Sequence, residues 1–541
     1  MRGAPDPAAR RTLLALLLLG GAVWLPTLAN GFVYDDVAVI VERPLLHSLG
    51  PPGAVWQASY WAAGNLYRPL TLQLFALEWA VGGGAAWPFH AVNVLLALAG
   101  IGVFLRLARR LLPPMAAAFA SAVYAVHPVH VEVVANGVGQ SELLVSLFAF
   151  IAVERFLAWR EGGALDLGRR LALLGLVAAA VAAKETGYVV PVLFAAAALT
   201  LSAGTAPRRS QLAALSIGCA AVVVGSLTVR WLVLGSLAGE TAAAPLRGLG
   251  PVERTQAMLA VVPEWARLLV WPARLQGEYG PPGLAVSPDP GPAHLIGAVL
   301  LLAGAALLIR SLRRDPVLAF GLLWIAVALV PVSNTVVPTG LVLAERTLFL
   351  PSAGFALVLG SGARLLVEAS AAGPPMARPL TALVLAVPIA FGAARSILRV
   401  PVWHDQDRFF TRLVEDAPAV YRAHHSAGVH WFRTGRFELA EPALVRALEL
   451  YRGDPRVYEE LGQLRRVAGR CDTALPVLRE GIERHPDRTL IRSRYVECAL
   501  AVGDTAAARA AADAGIRRGN EEFRAVRERL DRRASSAPEG G

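Results

Sequence analysis

Leu13–Ala29 reads LLALLLLGGAVWLPTLA and runs without a break into Asn30–Asp36, NGFVYDD. Seventeen successive residues without a charge nearly span a hydrocarbon core, which takes about 20. Arg2, Arg10 and Arg11 precede the run and favour a cytoplasmic start. It reads either as a signal peptide, with Thr27-Leu28-Ala29 as a weak cleavage site, or as a retained first helix. Both readings place Asn30 onward outside the cytoplasm.

The whole chain repeats that character. Of its 541 residues 55% are hydrophobic and 17% charged, and the mean hydropathy of +0.49 is too high for an ordinary soluble chain. A net charge of +11 would suggest nucleic acid in a soluble protein; here it reads as arginine in cytoplasmic loops. After a long outer loop (30–87) rich in interfacial aromatics (Trp56, Tyr60, Trp61, Tyr67), spans are expected near 88–108, 115–130, 139–158, 168–183, 187–203 and 210–235. A second outer segment (236–290) precedes 292–312, 316–335, 342–366 and 378–397. Leu70–Val81 is short and ends at Gly82-Gly83-Gly84, so it reads as a helix lying at the surface. Residues 256–273, interrupted by Glu264 and Arg267, read as re-entrant or interfacial.

Charge checks the count. Arg106/Arg109/Arg110, Arg160–Arg170, Arg208/Arg209, Arg310/Arg313/Arg314 and Arg378 fall in alternate loops, as the positive-inside rule requires of the cytoplasmic side. About eleven spans result, with the N-terminus inside and the C-terminus outside. A full span at Leu70–Val81 would flip every later loop and break the rule.

From about residue 401 the chain turns polar. Gly435, Gly469 and Gly503 recur every 34 residues, followed in phase by Ala440, Ala474 and Ala508 and by Ala447, Gly481 and Gly515. Gly428 and Gly462 precede the first two turns, and Pro418 and Pro486 close repeat units. This period marks tetratricopeptide repeats, helix pairs stacked into a superhelix. The expected fold class is all-α: a polytopic membrane domain (1–400), a repeat α-solenoid (401–533) and a disordered tail (534–541). Of three cysteines, Cys219 sits in an apolar span, while Cys471 and Cys498 share the repeat region, where a disulfide is conceivable.

The chemistry gathers on one face. Adjacent carboxylates repel, so in Asp35-Asp36 one could act as a base while the other orients a ligand; two solvated loop acids are the alternative. Arg68, in Tyr67-Arg68-Pro69-Leu70, offers a fork for phosphate or carboxylate, or else snorkels at the interface. His90, near Asn93, suits a structural hydrogen bond. His127-Pro128-Val129-His130-Val131-Glu132 lacks the spacing of a helical zinc site, so a hydrogen-bonded cluster is expected before a metal. Lys184-Glu185 and Glu345-Arg346 either satisfy each other as adjacent pairs or present Lys184 and Arg346 to an anionic phosphate. All these residues map to the outer face, which points to chemistry on a lipid-linked substrate.

Taken in order, NGFVYDD, Tyr-Arg68-Pro-Leu, Phe-His90-x-x-Asn93, His127-Pro-Val-His130-x-Glu132, Lys184-Glu185 and Glu345-Arg346-x-x-x-Leu-Pro351-Ser352, with the repeat tail, resemble the transmembrane and tetratricopeptide-repeat O-mannosyltransferases and their bacterial relatives. These belong to the GT-C glycosyltransferase superfamily. The resemblance implies a sugar donor on a polyprenyl phosphate, an inverting transfer to a hydroxyl outside the cytoplasm, and location in a bacterial inner membrane. It further implies Asp35 as general base supported by Asp36, cations such as Arg68, Lys184 or Arg346 on the leaving phosphate, and Glu132 as the candidate ligand if a divalent metal takes part. Gly139-Gln140-Ser141-Glu142 departs from the family, where an arginine and an aspartate are usual. The acceptor it implies is a protein Ser/Thr or a glycan, recruited through the repeats. No nucleotide site and no nucleic-acid partner are expected. Two other classes compete: an O-antigen-type ligase or polymerase, whose active residues belong in a large late outer loop, and a non-catalytic membrane-anchored repeat scaffold.

Overall fold

The computed structural model describes residues 7–535, apart from 52, 63, 163–164, 202–208 and 238–241. Arg2, Arg208 and tail residues 536–541 lie outside the described residues. The described chain is helical, and its one extended pairing is an isolated bridge between Pro282 and Val420. It divides into two compact units, one of residues 1–277 and 287–412, the other of 278–286 and 413–541. That division falls twelve residues past the expected 400/401 boundary and assigns a piece of the second outer segment to the repeat unit.

The first unit contains α1 (Pro7–Trp24), α2 (Pro69–Gly82), α3 (Trp87–Leu111), α4 (Pro114–Val126), α5 (Val131–Val134), α6 (Gln140–Glu161), α7 (Leu167–Ala183) and α8 (Val190–Thr200). It continues with α9 (Arg209–Leu234), α10 (Pro251–Leu259), α11 (Val262–Val270), α12 (Pro292–Arg314), α13 (Pro316–Leu329), α14 (Phe349–Ala372) and α15 (Ala377–Arg399). Each segment marked as a span contains a helix, but length and composition qualify fewer than eleven. Among the described residues six helices could cross a membrane unaided, and a seventh if α4 and the helical turns after Pro128, bent by 44°, count as one. The shortfall has physical causes. Charges Glu142, Glu154, Arg155 and Arg160 interrupt α6, α7 and α13 are short, and α8 continues a 3-10 turn that begins at Glu185. The span expected from 342 does qualify but begins at Glu345, with a 3-10 turn over 345–348 leading into α14. The stretch 256–273 is broken into α10 and α11.

Only 11% of the span windows of α9 and of α12 are buried, so these helices show apolar side chains nearly all round, as lipid contact requires and water does not permit. The unit's interior is instead built on aromatic contacts. Phe104 stacks on Tyr124 at 4.8 Å, and Phe150 links Tyr124 to Trp324. Two buried indoles donate to carbonyls of neighbouring helices, Trp24 to Ala125 and Trp324 to Leu350, both at 2.9 Å.

In the second unit α16 (Gln406–Asp416), which straddles the division, leads into three helix pairs. These are α17 (Tyr421–Arg433) with α18 (Phe437–Leu450), α19 (Pro455–Val467) with α20 (Cys471–Arg484), and α21 (Thr489–Ala501) with α22 (Thr505–Arg517); α23 (Glu522–Ser535) closes the stack. The repeated glycines 435, 469 and 503 take φ of 77°, 73° and 85°, a left-handed turn that side chains disfavour. Tail residues 534 and 535, expected to be disordered, complete the last turn of α23. Cys471 and Cys498 are disulfide-bonded, with Cα atoms 4.9 Å apart.

Candidate active site

The NGFVYDD segment is tied down from every side within the first unit. Asn30 Nδ2 donates to Ala135 O at 3.1 Å, Gly31 N donates to His404 O at 2.8 Å, and His90 Nε2 meets Gly31 O at 3.3 Å. Tyr34 adopts φ of 58°, a conformation that costs a non-glycine residue about 1–3 kcal/mol and is kept where the surroundings enforce it. The enforcing contacts are rings: Phe409 at 5.2 Å and Phe410 at 6.1 Å hold the Tyr34 side chain.

Just after that strained turn the two aspartates meet different surroundings. Asp36 is fully buried and accepts from three backbone amides, Val33 at 3.2 Å, Gly137 at 3.1 Å and Val138 at 2.8 Å. Burial pushes its carboxyl up to about 7, against the pull of those amides. Asp36 therefore clips the loop after α1 to the turn before α6. Asp35 keeps 18% of its side chain exposed and faces the Arg346 guanidinium at 3.3 Å. Glu132 grips the same arginine more tightly: its carboxylate accepts from Arg346 Nη1 at 2.6 Å and from the Arg346 backbone N–H at 2.8 Å. Glu132 thus anchors Arg346 from behind and leaves Asp35 the looser partner.

A second charged group adjoins. Arg68 donates to Glu185 at 2.9 Å, Arg230 lies 3.7 Å from the other Glu185 oxygen, and Lys184 pairs with Glu142. Lys184 lies within the electrostatic reach of both Arg68 and Arg346, so the two groups share one field. The adjacent pairs do not satisfy themselves. Lys184 is extended at φ −161° and ψ 151°, which turns successive side chains to opposite sides. Glu345 likewise turns away from its neighbour to accept from Gln276 N, while Arg346 goes to Asp35 and Glu132.

The structure thus gathers Asp35, Asp36, Glu132 and Arg346, and beside them Arg68, Lys184 and Glu185. The three histidines are engaged in hydrogen bonds within the unit. His127 Nε2 donates to Leu269 O at 2.9 Å while its Nδ1 accepts from Val129 N, and His130 meets Ser352 Oγ at 2.7 Å. His90 and Asn93 fasten the loops, Asn93 donating to Asn136 O at 2.8 Å. Among the described residues no three His, Cys, Asp or Glu groups converge as metal ligands. Glu132, the candidate ligand, has both oxygens committed to Arg346, so the residues present do not fit a metal there. Three participants escaped the sequence reading: Tyr60, noted only as an interfacial aromatic; Glu142, the partner of Lys184; and Arg230, a buried cation on α9. An arginine at the end of an apolar run is the signal that could have found the last.

Mouse protein O-mannosyl-transferase TMTC4 is 26% identical over 462 residues, covering 73% of this chain and 61% of its own length. Human TMTC3 is 28% identical over 382 residues, and Drosophila Tmtc2 is 36% identical over 194, 32% of this chain and 20% of that protein. Its homologues are the transmembrane, repeat-bearing protein O-mannosyl-transferases. The chain spans 61% of the length of mouse TMTC4 and 41% of that of human TMTC3. No protein-family model matches it. Among solved structures, the tetratricopeptide-repeat domain of P58(IPK) pairs with 72% of this chain and 99% of its own at 12% identity and a TM-score of 0.23.

Proposed function

We propose that this homologue is a membrane glycosyltransferase that moves a sugar, mannose being the first candidate, from a polyprenyl-phosphate donor to a protein Ser/Thr hydroxyl. The names of its relatives support the reaction class and the protein acceptor. One observation carries the site assignment: of the two aspartates only Asp35 is partly exposed, and its partner Arg346 is held independently by Glu132. A carboxylate can then leave the guanidinium without releasing it.

In the proposed step Asp35 accepts the proton of the acceptor hydroxyl. The oxygen bonds to the anomeric carbon with inversion as the bond from that carbon to the phosphate oxygen breaks, and the electron pair leaves with the lipid phosphate. Arg346, Arg68 and Lys184 supply fixed positive charge for that phosphate. No step is routed through a metal. The arginines in alternate loops support a bacterial inner-membrane topology with Asp35 and the repeat unit extracytoplasmic, and a solenoid offers a surface for the acceptor polypeptide.

The test compares wild type with Asp35→Asn at matched expression, in membranes given a labelled polyprenyl-phosphate mannose. Transfer is expected in the wild type and a loss of about a hundredfold or more in the variant, the usual worth of a general base. Equal transfer in both removes Asp35 from the mechanism. Absence of transfer in the wild type across several donor sugars favours the scaffold reading.

A further inference from the structure

Tyr60 sits in the private core of the first outer loop, packed with Val39, Leu72 and Phe75, and is only 2% exposed. The Arg68 guanidinium covers its ring, 4.5 Å from the centroid. The residue's main chain is occupied: its N–H donates to Leu66 O at 2.6 Å, and its carbonyl accepts from Arg43. Its hydroxyl is enclosed and has no hydrogen-bond partner among the described residues.

An unpaired buried hydroxyl costs about 1–3 kcal/mol, and native proteins hold few of them. For packing alone phenylalanine would serve better. The phenol also lies in the combined field of Arg68, Arg346, Asp35 and Asp36, where both charged groups of the candidate site meet. We infer that the Tyr60 hydroxyl is a ligand of the donor: it donates a hydrogen bond to the phosphate of the lipid-linked sugar, alongside Arg68 and Arg346. This rests on the donor proposed above.

The chemistry suits the place. Burial pushes the phenol well up, so it keeps its proton and acts as a donor. Both neighbouring cations are already tied to carboxylates, Arg68 to Glu185 and Arg346 to Glu132. A neutral, directed donor adds hold on a phosphate oxygen without adding another charge to be balanced.

Tyr60→Phe removes the hydroxyl and keeps the ring. Full-length wild type and variant are purified in detergent, and thermal unfolding is followed with polyprenyl monophosphate and, separately, with inorganic phosphate. Without ligand the variant is expected to unfold at the same or a higher temperature, since it loses an orphan group. Its affinity for polyprenyl monophosphate is expected to fall about tenfold or more, the worth of one hydrogen bond to a charged group. In transfer assays KM for the donor rises while KM for the acceptor holds. Unchanged affinity for polyprenyl monophosphate overturns the inference, as does a lower melting temperature at unchanged affinity, which marks a purely structural hydroxyl. An equal loss with inorganic phosphate alone reassigns the group to a free-phosphate site and overturns the lipid assignment. If the wild type itself binds no polyprenyl monophosphate, the donor reading fails and takes this inference with it.

Discussion

Asp36 and Asp35 are neighbours with opposite fates, and the difference is measurable by pH. The folded-state value of Asp36, about 7, lies above the ordinary 3.8 because burial outweighs three amide hydrogen bonds. A raised value means the folded chain binds the proton more tightly. The resulting stability is fully present below about pH 4 and lost as pH rises through about 7. Thermal unfolding in detergent should therefore show wild type losing more stability between pH 5 and pH 8 than Asp36→Asn, which carries no titratable group. The variant should also cost about 1–3 kcal/mol, because one amide is left facing an amino group. Parallel pH profiles for the two proteins would remove Asp36 as the source. At this scale the sequence is legible where chemistry is local. Two adjacent acids announce that one will be perturbed, but which one depends on amides contributed about a hundred residues away, at Gly137 and Val138. The Lys184 partner Glu142 and the orphan hydroxyl of Tyr60 were illegible for the same reason, since hydrogen-bond satisfaction belongs to the folded arrangement.

Helices were legible through apolar runs, their boundaries and crossings less so. A hydropathy run does not distinguish a helix long and apolar enough to cross from one that is short or interrupted by charge, as α13 and α6 illustrate. Close packing is likewise invisible until the partners are known. At the crossing of α13 and α14, a Cβ on Gly354 would lie 2.6 Å from Gly321 O, and one on Gly321 would lie 2.8 Å from Gly354 O. Backbone meets backbone there, as small residues permit in membrane helix pairs. Gly354→Val must push the helices apart and is expected to cost at least about 1–3 kcal/mol. Gly362, two turns on in the same helix, is exposed with open space around its Cβ direction, so Gly362→Val supplies the matched control. Comparing the melting temperatures of the two variants decides the point: similar values would mean that the crossing is not close.

For the whole molecule the open question is which compartment holds the repeat unit, and its cysteines answer it. Cys471 and Cys498 join α20 to α21 across a separation of 27 residues, and the remaining cysteine, Cys219, lies on α9. In the chain-entropy treatment a loop of that size makes the bond worth about 3–4 kcal/mol, so the oxidised form is the one the repeats favour. Such a bond persists in an extracytoplasmic space and is lost in a reducing cytoplasm. The proposed orientation therefore predicts a thiol count. Cells are quenched in acid, denatured, and treated with a maleimide mass tag before and after reduction. Before reduction Cys219 should take the tag and the repeat cysteines should not; after reduction all three cysteines in the sequence should. Tagging of all three without a reductant would put the repeat unit in the cytoplasm. An odd number of crossings from an inner N-terminus would then be wrong, and acceptor recruitment by the repeats on the outer face would fail with it. The predicted pattern would instead bring the parity argument, drawn from arginines in short loops, to a direct measurement at the far end of the chain.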